Sequence, residues 1–397
     1  MGQANFATTT RSDLLLMSTQ RILTNSIRSR KHLHPLLFFA TGMLFTCQLH
    51  AKTIQEIIVD AVKERQIIGA QLIRGTTHEP EAKSVNLGFV SPLGREPVSN
   101  DTMFCIASCS KPLVSCVIFT LIEQQKLDLH SPTDKWLPAI TTPTLIDGSN
   151  VNSPTLDQLL THRGGIYSQK QKLNADQFKA IRNFRMTLSE SVNLITKQPL
   201  TSTPGTRYAY SGAGYCLIGA IAEKAVRQPF DSILQNKLCK PLGMKSTTFF
   251  PNQRVNSVVA TGGVSKVPSP HLLGSEMKLP LIGGSIHTTA EDLQRFARMV
   301  AKRGMAEDQP VMKQSTWSNY VSQPYKAQRY GYGWTRTVID DRIKLSHNGS
   351  LPPAQAALQI NLTTGKYTIA LWTLGDPTNS KTTSQLRRQI NLALNDE

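Results

Sequence analysis

The residues best suited to covalent chemistry in this sequence are Ser108 and Lys111, three positions apart. An apolar run with helical spacing follows them, so both side chains should lie on one side of the first turns of a helix. A serine hydroxyl is a weak nucleophile until another group takes its proton, and a lysine held beside it out of bulk water can assist. The field of the helix N-terminus would add a partial positive charge around Ser108. The pair therefore suggests nucleophilic attack by Ser108.

A lone Ser-x-x-Lys pattern has a simpler interpretation, in which the serine caps a helix and the lysine is solvated. The chain contains a second such pattern, Ser275 to Lys278, which we predict to be an ordinary loop. The functional interpretation of Ser108 therefore depends on partners elsewhere in the chain.

Tyr210, in the segment 204–215, is a candidate proton shuttle for such a nucleophile. A tyrosine normally titrates near ~10, and a neighbouring lysine ammonium favours the phenolate. We therefore expect the pKa of Tyr210 to be lowered toward working pH. The alternative is a core tyrosine whose hydroxyl is satisfied by a structural hydrogen bond.

The third element is His347-Asn348-Gly349-Ser350, which we predict to lie just before a late strand. Gly349 would permit close approach of the backbone to a ligand. The N–H groups of Ser108 and Ser350 could then form an oxyanion-binding pair. His347 could bind a substrate carboxylate or hold the tyrosine–lysine network, and its alternative is a solvated histidine at a turn.

The order of these three elements resembles the serine β-lactamase-like superfamily, in particular class C β-lactamases, D-alanyl-D-alanine carboxypeptidases, D-aminopeptidases and related esterases. The resemblance extends from about residue 54 to the C-terminus and implies an α/β lobe and a helical lobe with the site between them. Further short motifs occur in the order of that family: Lys126-Leu127-Asp128-Leu129, Leu159-Leu160-Thr161-His162, Pro204-Gly205-Thr206, Pro241-Leu242-Gly243-Met244, Thr289-Ala290-Glu291-Asp292-Leu293 and Tyr332-Gly333-Trp334.

The resemblance also implies roles for the site residues. Ser108 would be the acylated nucleophile, Lys111 would assist proton transfer, and Tyr210 would act as general base and acid. The backbone N–H groups of Ser108 and Ser350 would bind the oxyanion. His347 stands where true β-lactamases usually have lysine.

Two positions depart from the family pattern. Gly212 replaces a common asparagine whose amide helps to hold both the substrate's amide and the lysine. His347-Asn348-Gly349 stands where the family has a Lys-Thr-Gly element, and histidine there resembles carboxypeptidase and aminopeptidase members more than efficient β-lactamases. Both departures argue against a dedicated antibiotic-degrading enzyme and suit an esterase or a peptidase with relaxed amide recognition.

Strand patterns occur at both ends of the chain and helical patterns in the middle. We predict an α/β (α+β) fold, with an antiparallel sheet that is flanked by helices and formed from N- and C-terminal segments, and with a mostly helical lobe inserted. The predicted strands are 70–73, 85–87, 330–334, 342–345, 356–361 and 367–374. The predicted helices are 54–62, 107–125, 155–160, much of 174–195, 217–225, a segment after Thr289 and 380–394.

The composition limits the partners. The net charge is +17, but its lysines and arginines form no basic run interleaved with aromatic residues, which argues against nucleic-acid binding. A basic surface suits an anionic substrate or an anionic envelope polymer. The histidines outside the N-terminal segment are dispersed, so we predict neither metal nor cofactor. The odd number of cysteines after residue 51 excludes a full disulfide framework, and apolar packing is their expected role.

Residues 1–51 are predicted to be a signal peptide, followed by a catalytic domain over 52–397. A basic segment at 28–31 precedes an apolar run at 36–49 that is too short to span a bilayer, with Ala51 as a cleavage point. Met17 is an alternative start, and Cys47 only faintly resembles a lipoprotein site. We therefore expect an exported periplasmic or extracellular protein without a stable membrane span.

These observations predict an exported serine hydrolase that cleaves an ester or amide carbonyl of a small molecule or peptide, including a D-peptide or a β-lactam, through an acyl-serine intermediate. The main alternative is a catalytically silent binding or sensor protein of the same fold, which Gly212 motivates. An envelope scaffold that uses the basic surface is a third interpretation.

Overall fold

A computed structural model describes residues 52–140, 142–266, 269–307 and 309–395 of the chain. The predicted signal peptide, with Met17, Cys47 and Ala51, lies outside the described residues. Within those ranges, every helix is too short or too polar to cross a bilayer.

The longest strands lie toward the two ends of the described residues, and most of the helices lie between them. The helices are α1 (Ile54–Lys63), α2 (Ser110–Glu123), α3 (Leu156–Leu160), α4 (Ala175–Arg182), α5 (Leu188–Thr196), α6 (Gly212–Val226), α7 (Phe230–Leu234), α8 (Lys240–Leu242), α9 (Ala290–Ala301), α10 (Gln314–Tyr320) and α11 (Ser380–Asn395). The strands are β1 (Ile67–Thr76), β2 (Val85–Gly88), β3 (Thr102–Cys105), β4 (Val258–Val259), β5 (His287–Thr288), β6 (Met305–Ala306), β7 (Gln309–Pro310), β8 (Thr335–Ile339), β9 (Arg342–Leu351), β10 (Ala354–Asn361) and β11 (Lys366–Leu374).

The main sheet is antiparallel and has the strand order β2-β1-β11-β10-β9-β8. Its centre joins the two ends of the chain, because β1 pairs with β11 in a register that places Ile73 opposite Ile369. The predicted α/β fold with a sheet built from both termini is confirmed.

Successive side chains along the central strands point to opposite faces of the sheet and so contribute to two separate cores. Leu358 and Ile369 belong to the core on the face that carries the helical lobe, whereas Ala357 and Ala370 face the other way. α1 and α11 cover that second face with apolar residues such as Ile58. α1 begins at a capping box in which Thr53 and Glu56 satisfy each other's backbone N–H groups.

The helical lobe is inserted between β3 and β5, and α2 is its central helix. Residues 110–121 of α2 are buried, so the helix is covered on all sides rather than along one stripe. β3 pairs with β4 and β5 and leads directly into the turn that carries Ser108. The position of Ser108 is therefore fixed by elements of the lobe and of the sheet together.

The five cysteines of the described residues are unpaired and buried, as apolar packing predicts. Burial raises the pKa of the Cys105 thiol to about 12, because the thiolate would lose its hydration. These thiols are held in the unreactive protonated form.

The prediction of a strand over residues 330–334 is wrong. Gly331 donates its N–H to Trp334 O at 2.8 Å, which closes a tight turn, and β8 begins only at Thr335. Gly333 has φ +82°, and a Cβ there would meet the carbonyl oxygen of Lys111 at 2.8 Å. The aromatic–glycine alternation therefore allows a close approach to α2 and does not mark a strand.

The late strand β9 is longer than predicted and continues to Leu351. His347 and Ser350 therefore lie inside a paired strand and not before one, because β10 continues the ladder opposite them.

Residues 174–195 form two helices, α4 and α5, rather than one continuous segment. β3 and α10 have no counterpart among the predicted elements.

Candidate active site

Ser108 lies in a 3₁₀ turn, Ala107–Cys109, at the junction of β3 and α2. Ala107 has φ +46°, an unusual conformation for a residue with a side chain. The carbonyl of Ala107 accepts a hydrogen bond from Ser110 Oγ at 2.6 Å. Strained backbone of this kind persists where the surroundings fix it and is frequent beside functional groups. The turn leaves the Ser108 side chain partly exposed between otherwise buried neighbours.

Gly349 is part of what fixes this turn. A Cβ on Gly349 would lie 2.2 Å from Ile106 O and 3.2 Å from the Ala107 Cβ. The sequence-based expectation that Gly349 admits a ligand to the backbone stays a prediction. Because Gly349 has no side chain, the turn that carries Ser108 packs closely against β9.

Lys111 is 1% exposed in the first turn of α2, with its amine directed at the nucleophile. Its Nζ lies 3.3 Å from Ser108 Oγ and donates to Gly283 O at 2.6 Å. A Cβ on Gly283 would meet Nζ at 2.9 Å, so the amine fits there because residue 283 has no side chain. Burial lowers the pKa of Lys111 to about 7, because the ammonium loses hydration.

This environment suits a proton acceptor. A neutral amine can donate one hydrogen to Gly283 O and direct its lone pair at the hydroxyl of Ser108. With the pKa of Lys111 near neutrality, both protonation states are populated at working pH, as a general base requires.

Tyr210 lies on the other side of the nucleophile. Its ring centroid is 4.7 Å from Lys111 Nζ, and its hydroxyl interacts with Ser108. The expectation that the lysine would lower the pKa of Tyr210 is wrong: burial raises it well above its usual range, because the buried phenolate loses hydration. Tyr210 is therefore a protonated hydroxyl, able to donate a hydrogen bond or pass on a proton.

His347 belongs to a second layer behind Tyr210, with its ring centroid 6.3 Å from that of Tyr210. Its Nδ1 lies 2.9 Å from Asn348 O, so Nδ1 carries the proton and Nε2 can accept from Tyr330 OH at 3.2 Å. Burial, and then the charge of Lys111, lowers the pKa of His347 to about 3. A neutral imidazole supports the tyrosine–lysine network better than it would pair with a carboxylate.

His162 completes this layer among aromatic rings. Its ring centroid lies 4.3 Å from that of Tyr210 and 4.8 Å from that of Tyr330. Nδ1 accepts the backbone N–H of Ser211 at 3.1 Å, which places the proton on Nε2. That Nε2 is buried without a hydrogen-bond partner among the described residues. Burial lowers the pKa of His162 well below its usual value, so the ring is neutral.

The register of β9 directs the backbone of Ser350 toward the site. Leu362 N–H donates to Ile343 O, which fixes the hydrogen-bonded positions between β10 and β9. These positions alternate along an antiparallel ladder, so Ser350, opposite Gln355, has its N–H directed away from β10. On that side β8 pairs only as far as Ser346. The N–H of Ser350 is thus directed toward the open side, beyond the end of β8.

Gly212 is the first residue of α6, and a neighbouring loop fills the space beside it. Gln169 Oε1 accepts the Gly212 N–H at 2.8 Å. A Cβ on Gly212 would lie 3.6–3.8 Å from the amide group of Gln169. The side-chain amide of Gln169 therefore lies beside the position where the family commonly has an asparagine.

The structure brings the predicted residues Ser108, Lys111 and Tyr210 together. Sequence reasoning missed a set of supporting residues: His162, Gln169, Gly283, Tyr330 and also Tyr215, whose ring centroid lies 5.1 Å from Lys111 Nζ. His162 was present in a short motif without an assigned chemistry and Tyr330 only in a predicted strand, whereas Gln169 had no distinctive sequence signal.

Comparison with known proteins places these observations in a family. The chain matches the family model described as Beta-lactamase over residues 54–393. It is 24% identical over 322 residues to Esterase EstB of Burkholderia gladioli, which covers 73% of this chain and 80% of that protein. It is also 24% identical to Penicillin-binding protein 4* of Bacillus subtilis (strain 168), over 67% of this chain and 60% of that protein.

A solved structure shares the fold. EstCE1, a hydrolase with promiscuous acyltransferase activity, superimposes with a TM-score of 0.70 at 19% sequence identity. The match covers 85% of this chain and 97% of that chain. At this identity the likeness establishes the architecture and not the substrate.

Proposed function

The chain belongs to the beta-lactamase family, and from that premise we propose that it cleaves an ester or amide carbonyl through an acyl-enzyme on Ser108. The observation that carries the proposal is the 3.3 Å contact between Ser108 Oγ and the buried amine of Lys111. A serine hydroxyl with a near-neutral amine at that distance has the base that nucleophilic attack requires.

In the first half-reaction, Ser108 Oγ bonds to the carbonyl carbon as its proton passes to Lys111 Nζ. The negative charge moves to the carbonyl oxygen, for which the N–H groups of Ser108 and Ser350 are the proposed donors. Tyr210 gives its hydroxyl proton to the departing oxygen or nitrogen and recovers a proton from the Lys111 ammonium. The products are the acyl-enzyme and the free alcohol or amine.

In the second half-reaction, water attacks the acyl carbonyl and restores the enzyme. Tyr210 and Lys111 take the proton of the attacking water and return it to Ser108 Oγ as the acyl bond breaks. The rings of His162, Tyr330 and His347 lie around the Tyr210 ring, and their proposed role is to hold Tyr210 in place.

The neutral state of His347 bears on the substrate. Lysine at this position would supply a fixed positive charge, whereas the buried imidazole here has its two nitrogens engaged by Asn348 and Tyr330. An esterase, or a peptidase with relaxed amide recognition, depends less on a fixed positive charge in the site. An esterase or D-peptidase-like activity therefore fits better than efficient β-lactam hydrolysis.

We also propose that the protein is exported. The support is in the sequence alone: the basic segment 28–31, the apolar run 36–49 and the small residue Ala51. N-terminal sequencing of the protein recovered from its native host would show processing near residue 51, whereas a chain that retains this segment would contradict export by cleavage.

The direct test is hydrolysis of p-nitrophenyl butyrate by the full chain, compared with Ser108→Ala. The matched control is Ser275→Ala, which removes the exposed serine of the second Ser-x-x-Lys pattern. We expect activity that disappears in the first variant and persists in the second.

A serine-directed phosphonate separates an enzyme of narrow specificity from a silent binding protein. Labelling of the wild type that is lost in Ser108→Ala supports the proposed nucleophile even without ester turnover. A folded wild type that neither hydrolyses the ester nor takes the label would overturn the proposal in favour of a binding protein.

A further inference from the structure

The face of the main sheet that α1 and α11 cover ends in a cavity of about 480 Å³. Arg74 of the cavity lining lies two residues beyond Leu72, which belongs to the core under α1 and α11. Gln359 in the lining has the same relation to Ala357 of that core. Side chains two positions apart in a strand share a face, so the cavity continues this face beside Leu394 in the last turn of α11. The helical lobe packs against the opposite face, which separates the cavity from the proposed active site.

The cavity carries an excess of positive charge. In the described part of the chain, its cations come from β1, β9 and β11: Arg74, Arg342, Lys344 and Lys366. The lining carboxylates are Glu79 and Asp340, so the cations exceed them by two. The C-terminus of α11 adds only about half a negative charge. Like charges gathered in this way repel one another, so the lining favours an anion with more than one charge.

The sheet spreads these cations over neighbouring strands. Lys344 lies opposite Asn361 in β10, and Lys366 lies opposite Thr76 in β1. Because β10 lies between β9 and β11, the backbones of those two strands are roughly 10 Å apart. Lys344 and Lys366 can therefore reach one ligand from two sides. Burial lowers the pKa of Lys344, because its ammonium loses hydration, and an anion beside it would offset that loss.

The neutral lining residues indicate which kind of anion fits. Thr337 and Thr368 supply hydroxyl groups, and Asn361 Oδ1 accepts two backbone N–H groups, which leaves its NH₂ group to donate. Donors that converge from several strands suit the tetrahedral oxygens of a phosphate, which arginine binds through two parallel N–H groups. Ile339 and Leu394 give the cavity an apolar side. The lining therefore matches a phosphate that is attached to an apolar group.

Nucleic acid matches this lining poorly despite its phosphates. Single strands are bound through aromatic rings on which the bases stack. Tyr367 is the aromatic residue of the lining within the described ranges, but it is 2% exposed and its hydroxyl donates to Gln294 Oε1 at 2.8 Å. Its ring is therefore covered and cannot stack on a base.

We propose that this cavity binds a phosphate ester, with Arg342 and Lys366 among the cations that hold the phosphate and with Ile339 and Leu394 against the apolar group. A free phosphate ester and the headgroup of a phospholipid share this chemistry. The site goes beyond the proposed hydrolase activity and does not depend on it, because its lining contains none of the reactive residues.

Calorimetric titration of the full chain with n-hexyl phosphate tests the site. We expect a Kd of about 1 mM or tighter, and weaker binding of inorganic phosphate, which has no apolar group. The double variant Arg342→Gln/Lys366→Gln removes two exposed cations and should weaken the binding of n-hexyl phosphate about tenfold. High salt should weaken the binding by the wild type.

Arg95→Gln/Lys126→Gln is the matched control, because it removes the same charges from two exposed side chains outside the cavity. This control should bind n-hexyl phosphate as tightly as the wild type does. Both double variants should retain the wild-type Tm and the wild-type rate of p-nitrophenyl butyrate hydrolysis, so a loss of binding is distinguishable from a loss of folding or of the proposed activity.

Sedimentation with vesicles separates the two sources of the phosphate. Vesicles of phosphatidylcholine that contain phosphatidic acid present a phosphate monoester at a surface, and vesicles of phosphatidylcholine alone are the reference. Sedimentation with phosphatidic acid that is lost in Arg342→Gln/Lys366→Gln and retained in the control would assign the lipid headgroup. Binding of n-hexyl phosphate without sedimentation would assign a free ester, and either result supports the site.

Three results would overturn the site, whatever the outcome of ester hydrolysis. The first is a folded wild type that does not bind n-hexyl phosphate. The second is equal affinity of the two double variants for n-hexyl phosphate, which would mean that the cations of the cavity do not hold it. The third is equal affinity of the wild type for n-hexyl phosphate and inorganic phosphate, which would mean that the apolar side binds nothing.

Discussion

Burial acts on Lys111 and Tyr210 in opposite directions. For lysine the charged form is the protonated one, so loss of hydration lowers the pKa to about 7. For tyrosine the charged form is the deprotonated one, so the same loss raises its pKa. The pair is therefore a neutral amine beside a neutral phenol, with the lysine as the stronger proton acceptor at working pH.

The first residue-scale prediction concerns the pH dependence of kcat/KM. The amine must be neutral to accept the Ser108 proton, so kcat/KM should rise with pH, with an apparent pKa of about 7. Below that value it should fall about tenfold per pH unit. Lys111→Arg retains a cation that cannot be deprotonated and should lose activity about 100-fold or more.

Initial rates of p-nitrophenyl butyrate hydrolysis between pH 5 and pH 9 measure this dependence of kcat/KM on pH. Lys126→Arg, a change at an exposed lysine, serves as the control and should retain the wild-type profile. A rising limb that survives in Lys111→Arg but vanishes in Tyr210→Phe would assign the base to the tyrosine instead.

A second residue-scale prediction concerns His162 as a positioning residue. Its Nδ1 holds the N–H of Ser211, next to Tyr210. Asparagine offers an oxygen in a comparable place and phenylalanine does not, so His162→Phe should lower kcat about tenfold or more while His162→Asn recovers part of the loss. KM should change little, because neither variant touches the substrate.

Steady-state kinetics and thermal melting of both variants test this role. Equal losses of kcat in His162→Asn and His162→Phe, matched by equal losses of Tm, would reduce His162 to a packing residue.

The contact between β9 and the nucleophile turn is the main structural feature at the scale of elements. The sheet contributes its backbone at Gly349, and the helical lobe contributes the turn before α2. The strained φ of Ala107 lies at this contact. The geometry of the nucleophile therefore depends on two elements that are far apart in sequence.

Gly349→Ala tests this contact. Its Cβ would lie 2.2 Å from Ile106 O, a backbone atom, so the turn or the strand must shift. We expect a loss of stability of about 1–3 kcal/mol. Activity should fall about 100-fold, because Ser108 is misplaced relative to Lys111. Urea unfolding and ester hydrolysis measure the two effects.

Gly214→Ala, in the first turn of α6, is the matched control. A Cβ there meets its nearest neighbour at 3.6 Å, an ordinary contact, so the variant should remain active and gain about 0.5 kcal/mol or more in stability. If Gly349→Ala is as active as this control, the strand does not position the nucleophile.

At the scale of the whole molecule, buried neutral histidines link stability to pH. His271, in the 3₁₀ segment Pro270–Glu276, packs edge to face on His287 in β5 with ring centroids 5.5 Å apart. Burial lowers the pKa of His271 to about 4 and that of His287 to about 3. Unfolding exposes both to water, where they bind protons more readily.

This linkage predicts acid lability. The stabilising contribution is complete above the unfolded pKa of ~6.5 and is lost as pH falls through the folded values of about 4 and 3. His271 alone should contribute a loss on the order of 2 kcal/mol between pH 7.5 and pH 5. His271→Phe should remove that part of the pH slope, measured by urea unfolding at both pH values.

His78→Phe changes an exposed histidine and should retain the full slope. An unchanged slope in His271→Phe would mean that other groups account for the acid lability of the molecule.

Local patterns in the sequence predicted the fold class and much of the main sheet. Helical spacing of apolar residues predicted α1, α2 and α11, and strand patterns joined by short turns predicted β10 and β11. α1 buries one face, as its spacing indicates, whereas α2 is buried on all sides. Pairing of the two ends was predicted because strand patterns occur at both ends of the chain and helical patterns lie between them. The prediction failed at residues 330–334, where a glycine allows a contact with α2 that local propensity cannot reveal.

The sequence alone also determined the reactive set, since Ser108, Lys111 and Tyr210 are recognisable by residue type, spacing and order. Only the tertiary structure decided their protonation states, because the pKa of a side chain depends on how deeply it is buried, and burial comes from segments distant in sequence. The same holds for Gly349, whose neighbour is a turn about 240 residues away, and for Gln169, which fills the space left by Gly212. The identity of the reactive residues can therefore be predicted from the sequence, whereas their protonation states and contacts depend on the fold.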